Sequence, residues 1–558
     1  MVSPDGRFVL VYNGEIYNYR EIRRRLDYPF RSHTDSEVLL AAWQRWGPKC
    51  LAELVGMYAF AVWDRRESCL HLVRDRLGIK PLYYYKGGDF LLLASEIRSI
   101  LASGLVPPRL DHDGLVDYLR YQCVHQPETI VDGVRMLEPA THAVICGRDL
   151  TAERYWSPIP TIRQQPLPAA TARERIRAAL LGAVERRLVS DVPFGAFLSG
   201  GIDSSAIVAL MKQLRDQVST FSVSFSEDEY SEARYARIIA KKFGTDHHEI
   251  RLTPEDFLTL LPEALDKMDH PSGDGPNTYV VSRATKHAGI TMALSGLGGD
   301  EVFAGYPVFR QCHRLSRIKG LNAVPRWMRS AAGRAAEVFR PGIATAKVSG
   351  ILAEERISLA TAYPFYRQVF LDRQIRGVLR DNDLPTNRVA ALARAYLDQP
   401  GFGALPLLSQ VSILEMSSYM QNVLLRDTDQ MSMAHALEVR VPFLDHELVE
   451  LVLAIPDDVK NCATPKRLLV ESLGRLIPDE IANRPKMGFT LPYERWMRCE
   501  LREFCESRLH RIAERPVFRR EVVLQYWADF MAGRPTISWS RLWMLVALEH
   551  WLQRNQVD

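Results

Sequence analysis

The stretch of sequence best suited to chemistry is a glycine-rich turn at residues 198–205, LSGGIDSS. Paired glycines let a backbone approach a phosphate closely, and the helix that follows offers free N–H groups and the positive end of its dipole. The serine hydroxyls of this turn can donate further hydrogen bonds. Asp203 would repel a bare phosphate, so its presence predicts a Mg²⁺ ion between the carboxylate and the ligand. The alternative is a structural strand-to-helix turn that binds nothing.

The elements around this turn predict a parallel sheet. After residue 171 the sequence alternates between helical patterns and short apolar strands. The predicted helices cover 172–187 and 206–214, and the predicted strands cover 195–198, 219–225 and 290–295. This alternation is typical of an α/β fold with helices on both faces of a parallel sheet. From about residue 404 onward the pattern is nearly all helical.

The first 100 residues have a different pattern. Short β-type runs occur at 8–12, 59–63, 70–73 and 91–94, with one clear helix pattern at 35–46. This mixture predicts an α+β domain with antiparallel sheets. A proline-rich stretch then ends near residue 168. We therefore divide the chain into an N-terminal domain at 1–150, a linker at 151–170 and a larger domain at 171–558.

Composition excludes several classes of protein. The chain has 558 residues, 47% hydrophobic and 25% charged, as in ordinary globular proteins. A net charge of +4 is too small to indicate nucleic acid as a partner. We find no apolar run of the roughly 18 residues that a membrane span needs and no secretion signal. The eight cysteines are scattered without a CxxC pair, so we expect no disulfide framework, no zinc site and a cytoplasmic location.

The glycine-rich turn resembles the PP-loop, SGGxDS, of ATP pyrophosphatases, which transfer AMP to a carboxylate or carbonyl oxygen. Residues 295–306, SGLGGDEVFAGY, resemble the second signature of the asparagine synthetase B family. In that family the residues matching Asp203 and Asp300 hold Mg²⁺, so the resemblance implies ATP and Mg²⁺ as cofactors. The nucleotide-binding residues that it implies are Leu198, Ser199, Gly200, Gly201, Asp203, Ser204, Ser205, Val223, Ser295 and Gly296.

The same resemblance implies three catalytic candidates. Lys466 matches the family lysine that stabilises pyrophosphate, where a cation is expected because negative charge accumulates on the leaving group. The alternative for Lys466 is a solvated lysine at the start of a helix. Glu438 and Arg440 lie in a block, residues 431–445, that resembles the acceptor side of the family site. Their alternative is an internal salt-bridge network that includes Asp445.

The N-terminal domain resembles a class II (Ntn-type) glutaminase, on residues 12–18, YNGEIYN, and 74–84, RDRLGIKPLYY. Asn13 and Gly14 match the oxyanion hole, where an amide and a backbone N–H stabilise a tetrahedral intermediate. Glu15 and Asp35 match the residues that bind the α-amino end of glutamine. The alternative for Asn13-Gly14 is a hairpin turn. The resemblance implies an incomplete Ntn-type sandwich ahead of the α/β domain.

Two departures from the family pattern stand out. The family nucleophile is an N-terminal cysteine whose own α-amine serves as base, whereas this chain begins Met1-Val2-Ser3 and has its first cysteine at Cys50. We expect that Met1 is an internal methionine taken for the start, with a genuine truncation as the alternative, and that this polypeptide cannot hydrolyse glutamine. Asparagine synthetases also carry Glu where this chain has Leu297, and an apolar side chain cannot act as a base.

The sequence therefore predicts an asparagine-synthase-type ligase that amidates a carboxylate, with aspartate as the expected acceptor. An acyl-adenylate would form with release of pyrophosphate, ammonia would displace AMP, and glutamine would supply the ammonia in the complete protein. The alternatives are another carboxylate in a polysaccharide or secondary-metabolite pathway, an inactive interaction paralogue, and a β-lactam-synthetase-like ligase using Tyr419 and Glu438. Small molecules are the expected partners, together with a second copy in a homodimer.

Two further patterns bear on the function. Residues 313–347 are strongly basic, with Glu337 as their single acid. This segment is either a solvated helical insertion or a docking site for an anionic partner or membrane surface. His247-His248-Glu249 looks like a metal site but lacks the spacing of metal ligands, so we interpret it as a structural part of a strand.

Overall fold

A computed structural model of the chain describes residues 1–159, 167–225, 232–318, 320–484, 492–534 and 537–558. Residues 160–166 of the predicted linker and Lys319 of the basic segment lie outside the described residues. The described residues contain no helix that is both long enough and apolar enough to cross a membrane.

Thirteen strands and twenty-six α-helices form the described part of the chain. The strands are β1 Phe8–Ile16, β2 Gly56–Asp64, β3 Cys69–Arg74, β4 Tyr83–Lys86, β5 Leu91–Ala94, β6 Val134–Met136, β7 Thr141–Cys146, β8 Asp149–Arg154, β9 Phe194–Phe197, β10 Ser219–Phe225, β11 Asp246–Leu252, β12 Met292–Leu294 and β13 Glu438–Arg440. The helices are α1 Tyr19–Arg24, α2 Asp35–Trp46, α3 Ile97–Ala102, α4 His112–Tyr121, α5 Ala169–Arg187, α6 Ile202–Leu214, α7 Ala233–Phe243, α8 Pro254–Lys267, α9 Gly275–His287, α10 Gly299–Val302, α11 Pro307–Arg317, α12 Arg326–Phe339, α13 Ile343–Ala353, α14 Leu359–Arg367, α15 Asp372–Val378, α16 Arg388–Leu397, α17 Leu407–Glu415, α18 Leu425–Met433, α19 His446–Leu453, α20 Asp457–Lys460, α21 Arg467–Leu473, α22 Asp479–Ala482, α23 Tyr493–Arg498, α24 Arg502–Glu514, α25 Arg520–Met531 and α26 Trp539–Arg554.

Two antiparallel sheets form the N-terminal region. The larger has the order β1-β2-β3-β7-β8 and the smaller has the order β5-β4-β6. Helix α2 covers one face of the larger sheet, where Trp43 packs edge-on against Phe60 at 5.8 Å between ring centroids. The other face is lined by small side chains such as Ala59 and Ala143, which pack against leucines of the smaller sheet and its neighbours. The α+β class expected for this region is confirmed, while the Ntn-type assignment stays a prediction.

A five-stranded sheet with the order β11-β10-β9-β12-β13 forms the second region, and all its strands are parallel. The chain enters at β9 in the centre, proceeds through β10 to the β11 edge, and returns on the other side of β9 with β12 and β13. The connections reverse direction between β9 and β12. In open α/β sheets, ligands bind beyond the carboxyl ends of the strands at such a point.

The region after residue 404 is mostly helical, as expected, but it includes strand β13. This strand pairs in parallel with β12 and completes the sheet. The prediction that the region is nearly all helical missed it because three residues are too few to show an alternating pattern. A π-helical stretch at Met416–Leu424 joins α17 to α18.

One sequence expectation about the cysteines is wrong. Cys69 and Cys146 form a disulfide with their Cα atoms 4.5 Å apart. The two residues lie directly opposite each other in the β3–β7 pairing. Their separation of 77 residues carries no spacing signal, because the register of the sheet alone brings them together. The other six cysteines are free.

Candidate active site

A cavity of about 580 Å³ opens at the carboxyl ends of β9 and β12, where the direction of the connections reverses. Its walls are the start of α6, the turn after β12, and two segments at 464–466 and 481–484. Of the predicted site residues, the lining includes Ser199, Gly201, Asp203, Ser204, Ser295, Gly296, Asp300 and Lys466. Leu297 also lines the cavity and is half-buried. The structure therefore brings both predicted signatures and the predicted lysine to one place.

The glycine-rich turn forms a tight cradle before α6. Gly200 has a φ of +70°, and a Cβ there would lie 2.5 Å from the backbone nitrogen of Ala236, so only glycine fits. Gly201 is the N-cap of α6. The hydroxyls of Ser199 and Ser204 lie 3.1 Å apart at the cavity wall. Free N–H groups at a helix start beside two hydroxyls are suited to an anion such as phosphate.

The turn after β12 packs directly on this cradle. A Cβ on Gly296 would lie 2.7 Å from the Cβ of Asp203, so a larger residue would push the two turns apart. The backbone N–H of Ser295 donates to the carbonyl of Arg440 at 2.9 Å, which fixes the turn to β13. This close approach places Asp203 and Asp300 in the same cavity.

Lys466 lies between these two carboxylates. Its ammonium contacts Asp203 and lies 2.8 Å from an oxygen of Asp300. The residue is only 6% exposed, which rules out the solvated-lysine interpretation. Burial alone would lower the pKa of Lys466, but the carboxylates of Asp203 and Asp300 outweigh it and hold the pKa above its usual value. Lys466 is therefore a fixed cation inside the cavity.

The donor set fits Mg²⁺. Within the described ranges no group of three or more His, Cys, Asp or Glu could hold a metal ion. Mg²⁺ needs no such cage, because it is usually held by one or two carboxylates together with substrate phosphates and water. The position of the Lys466 ammonium shows that Asp203 and Asp300 converge on a positive charge. These two residues would hold the ion.

The cavity contains a second cationic side chain, for which the sequence predicted no role. Arg484 lines the wall, pairs with Glu232 and lies over the Tyr235 ring, 4.6 Å from its centroid. Burial raises the pKa of Glu232 despite the nearby guanidinium. The pair joins residues 252 positions apart, so no local motif could have revealed it. The fold therefore gives the cavity two positive side chains, and Arg484 lies close to the glycine-rich cradle.

A buried carboxyl of the cavity was also missed. Glu301 is 1% exposed and accepts a hydrogen bond from the Tyr306 hydroxyl at 2.8 Å. Burial, and then the neighbouring Asp300, raise the pKa of Glu301 to about 7. Tyr419 packs edge-on against Tyr306, while Glu438 pairs with Arg440. The contacts of Tyr419 and Glu438 therefore differ from those of a hydrogen-bonded dyad.

Four predicted nucleotide-binding residues are absent from the lining that the described residues form: Leu198, Gly200, Ser205 and Val223. Leu198 and Ser205 are buried beneath the cradle, and Val223 lies in strand β10. Gly200 shapes the turn from behind. Their contact with a nucleotide stays a prediction.

Glu438 and Arg440 lie on the edge strand β13 and form part of a salt-bridge network. The Arg440 guanidinium contacts Glu438 at 2.6 Å and Glu15 of the N-terminal region at 3.1 Å. It also donates to the carbonyls of Arg187 and Val189. The network that the sequence offered as the alternative is thus present, and the catalytic role of the two residues stays a prediction.

Asp445 completes the charged cluster at this edge. It caps α19 and pairs with Arg186 and Arg187, both at 2.9 Å. Burial alone would raise the pKa of Asp445, but the two guanidinium groups lower it to about 2. The carboxylate is therefore charged at any ordinary pH, and its ion pairs stabilise the fold.

The predicted glutamine-binding residues lie on β1 and at the start of α2. Asn13 and Gly14 are within strand β1, paired with Ala59 and Tyr58, so they do not form a hairpin turn. The Asn13 amide donates to the Ser95 hydroxyl at 3.2 Å and lines a cavity of about 120 Å³ between the two regions. The role of Asn13 and Gly14 in an oxyanion hole stays a prediction.

Asp35 and Glu15 occupy different settings. Asp35 accepts hydrogen bonds from the Tyr12 hydroxyl at 2.6 Å and from the Ile16 backbone at 3.0 Å. Burial, followed by the charge of Asp35, raises the pKa of Glu15 to about 7, although Arg440 opposes this shift. Glu15 is thus a partly buried carboxyl held between the two regions of the protein.

The thiols in residues 1–159 are poorly suited to nucleophilic attack. Cys50 is buried, and burial raises its pKa to about 12. Burial also raises the pKa of Cys123 well above its usual value. Cys69 and Cys146 are joined in the disulfide. A nucleophilic cysteine needs a lowered pKa and access to solvent, and these residues offer neither.

Comparisons with known proteins place these features in context. Residues 175–553 match the family model described as asparagine synthase, and residues 1–156 match the one described as a glutamine amidotransferase domain. Glutamine-hydrolyzing asparagine synthetase 1 of Bacillus subtilis is 29% identical over 99% of this chain and 86% of its own length. Asparagine synthetase 3 of the same organism is 31% identical over 91% of this chain and 80% of its own length. An amidase of Gibberella zeae, chry2, is 27% identical over 88% of this chain and 78% of its own length.

Proposed function

The chain belongs to the asparagine synthase family, and we propose that it makes an amide from ammonia and the β-carboxylate of aspartate at the expense of ATP. The observation that carries the proposal is the convergence of Lys466, Asp203 and Asp300 in one cavity beside the glycine-rich cradle. In this proposal residues 171–558 carry out the synthesis, and residues 1–150 belong to the glutaminase domain.

The first half-reaction joins the carboxylate to the nucleotide. A carboxylate oxygen attacks the α-phosphorus of ATP, and the bond from that phosphorus to the bridging oxygen of pyrophosphate breaks. The cradle at the start of α6 holds phosphate oxygens, while Lys466 and Arg484 stabilise the charge that accumulates on pyrophosphate. Mg²⁺ held by Asp203 and Asp300 would neutralise further phosphate charge when bound.

The second half-reaction replaces AMP by ammonia. The ammonia nitrogen attacks the acyl carbon of the adenylate, a C–N bond forms, the nitrogen loses one proton to water, and the bond from that carbon to the AMP oxygen breaks. Both half-reactions join reactants that the cavity holds side by side, so orientation contributes much of the rate. The half-buried Leu297 contacts this space as an apolar wall.

Asn13 and Gly14 in β1, together with the names of the relatives, support glutamine as a source of ammonia in this family. The polypeptide of this sequence is proposed to use free ammonia only. The buried thiols of Cys50 and Cys123 and the disulfide of Cys69 support this restriction.

The test is pyrophosphate release from Mg-ATP by this polypeptide. Aspartate is supplied with ammonium chloride in one reaction and with glutamine in another, and asparagine is measured by mass spectrometry. Activity with ammonium alone is the expected result. Asparagine formed from glutamine at the same rate would refute the proposed restriction to ammonia, and no ATP–pyrophosphate exchange with any carboxylate would indicate an inactive paralogue.

A second candidate is amidation of a different carboxylate, as in a polysaccharide or secondary-metabolite pathway. Leu297 favours it, because the cavity presents a methyl-rich surface where the asparagine synthetases have a carboxyl group. The 27% identical relative named as an amidase is consistent with a wider range of reactions in the family. Exchange that is stimulated by other carboxylates but not by aspartate would support this candidate, and Leu297→Glu would then be expected to improve the use of aspartate.

A further inference from the structure

The outer face of helix α12 is apolar and uncovered. At about 100° per residue, six side chains fall on the side opposite the buried Gly333. They are Trp327, Met328, Ala331, Ala335, Val338 and Phe339, and all six are exposed. Trp327 is 72% exposed, Val338 79% and Phe339 89%. Large apolar side chains are rarely gathered in this way on a protein surface unless the surface binds something.

The inner face shows that α12 is held firmly in this orientation. Gly333 lies so close to α13 that a Cβ there would be 2.9 Å from the Cα of Ser349. Arg329 is buried and donates to the carbonyls of Val324, Leu352 and Glu355 at 3.0 to 3.2 Å. These contacts fix α12 and α13 as a hairpin. The apolar face therefore points outward because the other face is already used.

Residues 313–347, which include α12 and the start of α13, carry mostly positive charge. Glu337 is the only acid in residues 313–347, and it pairs with Arg373. Two of the basic residues are used inside the protein, since Arg329 holds the hairpin and Lys347 donates to the carbonyl of Tyr366. The exposed basic residues that remain are Arg314, Arg317, Arg326, Arg334 and Arg340. Arg334 lies beside the apolar face, about 100° around α12 from Gly333, while Arg326, which also donates to the carbonyl of Ala353, and Arg340 lie near the two ends of the helix.

We propose that the α12–α13 hairpin docks this protein on an anionic lipid bilayer, with α12 lying in the interface. Trp327 and Phe339 stand near the two ends of the helix, about 18 Å apart along its axis. An apolar stripe with aromatic side chains, flanked by arginines, is the pattern of helices that lie in the membrane interface. The arginines would contact lipid phosphates while the aromatic side chains enter the boundary with the acyl chains.

A bilayer suits this surface better than a second copy of the chain. The apolar residues lie on one exposed helix, so they present a convex ridge. Two identical ridges in contact would bring the arginines of one copy against those of the other, which is unfavourable without an intervening anion. An anionic bilayer matches both features, because its phosphates can pair with the arginines and its acyl chains can cover the apolar stripe.

The test is flotation of the full chain with lipid vesicles. Vesicles of phosphatidylcholine are compared with an equal mixture of phosphatidylcholine and phosphatidylglycerol. The chain is expected to float with the mixed vesicles and to be released by salt. The double variant Trp327→Asn, Phe339→Asn should lose at least about tenfold in affinity, because each large apolar side chain contributes at least that much when buried. Arg334→Gln with Arg340→Gln should lose about tenfold for mixed vesicles only.

A matched control carries the same change at exposed leucines elsewhere, Leu105→Asn with Leu397→Asn, and should float like the parent chain. Trp327→Phe should keep binding but remove quenching of tryptophan fluorescence by brominated lipid, which shows that this side chain enters the bilayer. Circular dichroism verifies that each variant folds. Flotation that is absent, or that is unchanged in the Trp327 and Phe339 variant, would overturn the proposal, as would a dimer that this variant dissociates.

Discussion

Replacement of Lys466 by methionine tests the central feature of the candidate active site. The lysine is 6% exposed, and its ammonium lies 2.8 Å from Asp300 and in contact with Asp203. At an effective dielectric constant of about 20, one ion pair at this distance amounts to about 6 kcal/mol before the cost of desolvation. Desolvation removes much of that, so loss of the buried cation is expected to destabilise the protein by about 3–5 kcal/mol.

The effect on catalysis should be separate and large. In the proposed reaction Lys466 stabilises pyrophosphate as it leaves, and loss of one such group typically reduces kcat about 10²–10³-fold. The assay is ATP–pyrophosphate exchange with aspartate, run beside thermal unfolding of the same preparation. The control is Lys241→Met, which removes an exposed lysine and should leave both measurements unchanged.

Magnesium supplies a third measurement that does not depend on turnover. In the parent chain the ion must displace Lys466 from Asp203 and Asp300, whereas in Lys466→Met it enters a site that has lost its ammonium. Added Mg²⁺ should therefore raise the Tm of the variant more than that of the parent. Parent-like exchange by the variant, or a Tm that does not fall, would refute our reasoning about Lys466.

Other predictions concern groups outside the cavity. Burial lowers the pKa of Lys460 to about 7, below its value in the unfolded chain. Lys460 therefore lowers the free energy of unfolding at pH 7, and this destabilising effect decreases as the pH rises toward 10. Lys460→Met should then raise the free energy of unfolding by on the order of 3–5 kcal/mol at pH 7. The accompanying rise in Tm should be smaller at pH 10. The pKa of Glu15 is raised to about 7, so its contribution to stability falls as the pH rises from about 4.5 to 7. Glu15→Gln should flatten the pH dependence of Tm across that window, and an unchanged slope would contradict the assignment. Cys69→Ser should cost about 2–4 kcal/mol in unfolding free energy by opening the loop that ends at Cys146. Peptide mapping without reductant should show that pair in the parent chain.

Sequence patterns predicted the local features of this fold and left out the contacts between distant residues. The turn at 198–205 and strand β10 were predictable because glycine spacing and apolar runs are properties of a few neighbouring residues. The pairing of Arg484 with Glu232 and the position of β13 result from packing among segments far apart in the chain. Such contacts have no local signal, which is why Arg484 received no role.

Arg440 also illustrates the limit of motif matching. The resemblance places Arg440 on the acceptor side of the site, and this stays a prediction, but it gave no sign that the guanidinium extends toward Glu15 of the other region. A motif identifies which residue occupies a position but not which way its side chain points. That direction depends on the carbonyls of Arg187 and Val189, which only the folded chain brings within reach.

Arg440 also has a thermodynamic consequence for the whole molecule. Its side chain contacts Glu15, a candidate ligand for glutamine, while its carbonyl accepts the N–H of Ser295 at the edge of the candidate active-site cavity. One residue therefore belongs to the immediate surroundings of two sites in different domains. Thermodynamic linkage makes any coupling between the two sites reciprocal. If a ligand at one site changes the affinity of the other site by some factor, a ligand at that other site changes the affinity of the first site by the same factor. A double-mutant cycle on Glu15 and Arg440 would measure how much of that coupling free energy passes through their ion pair.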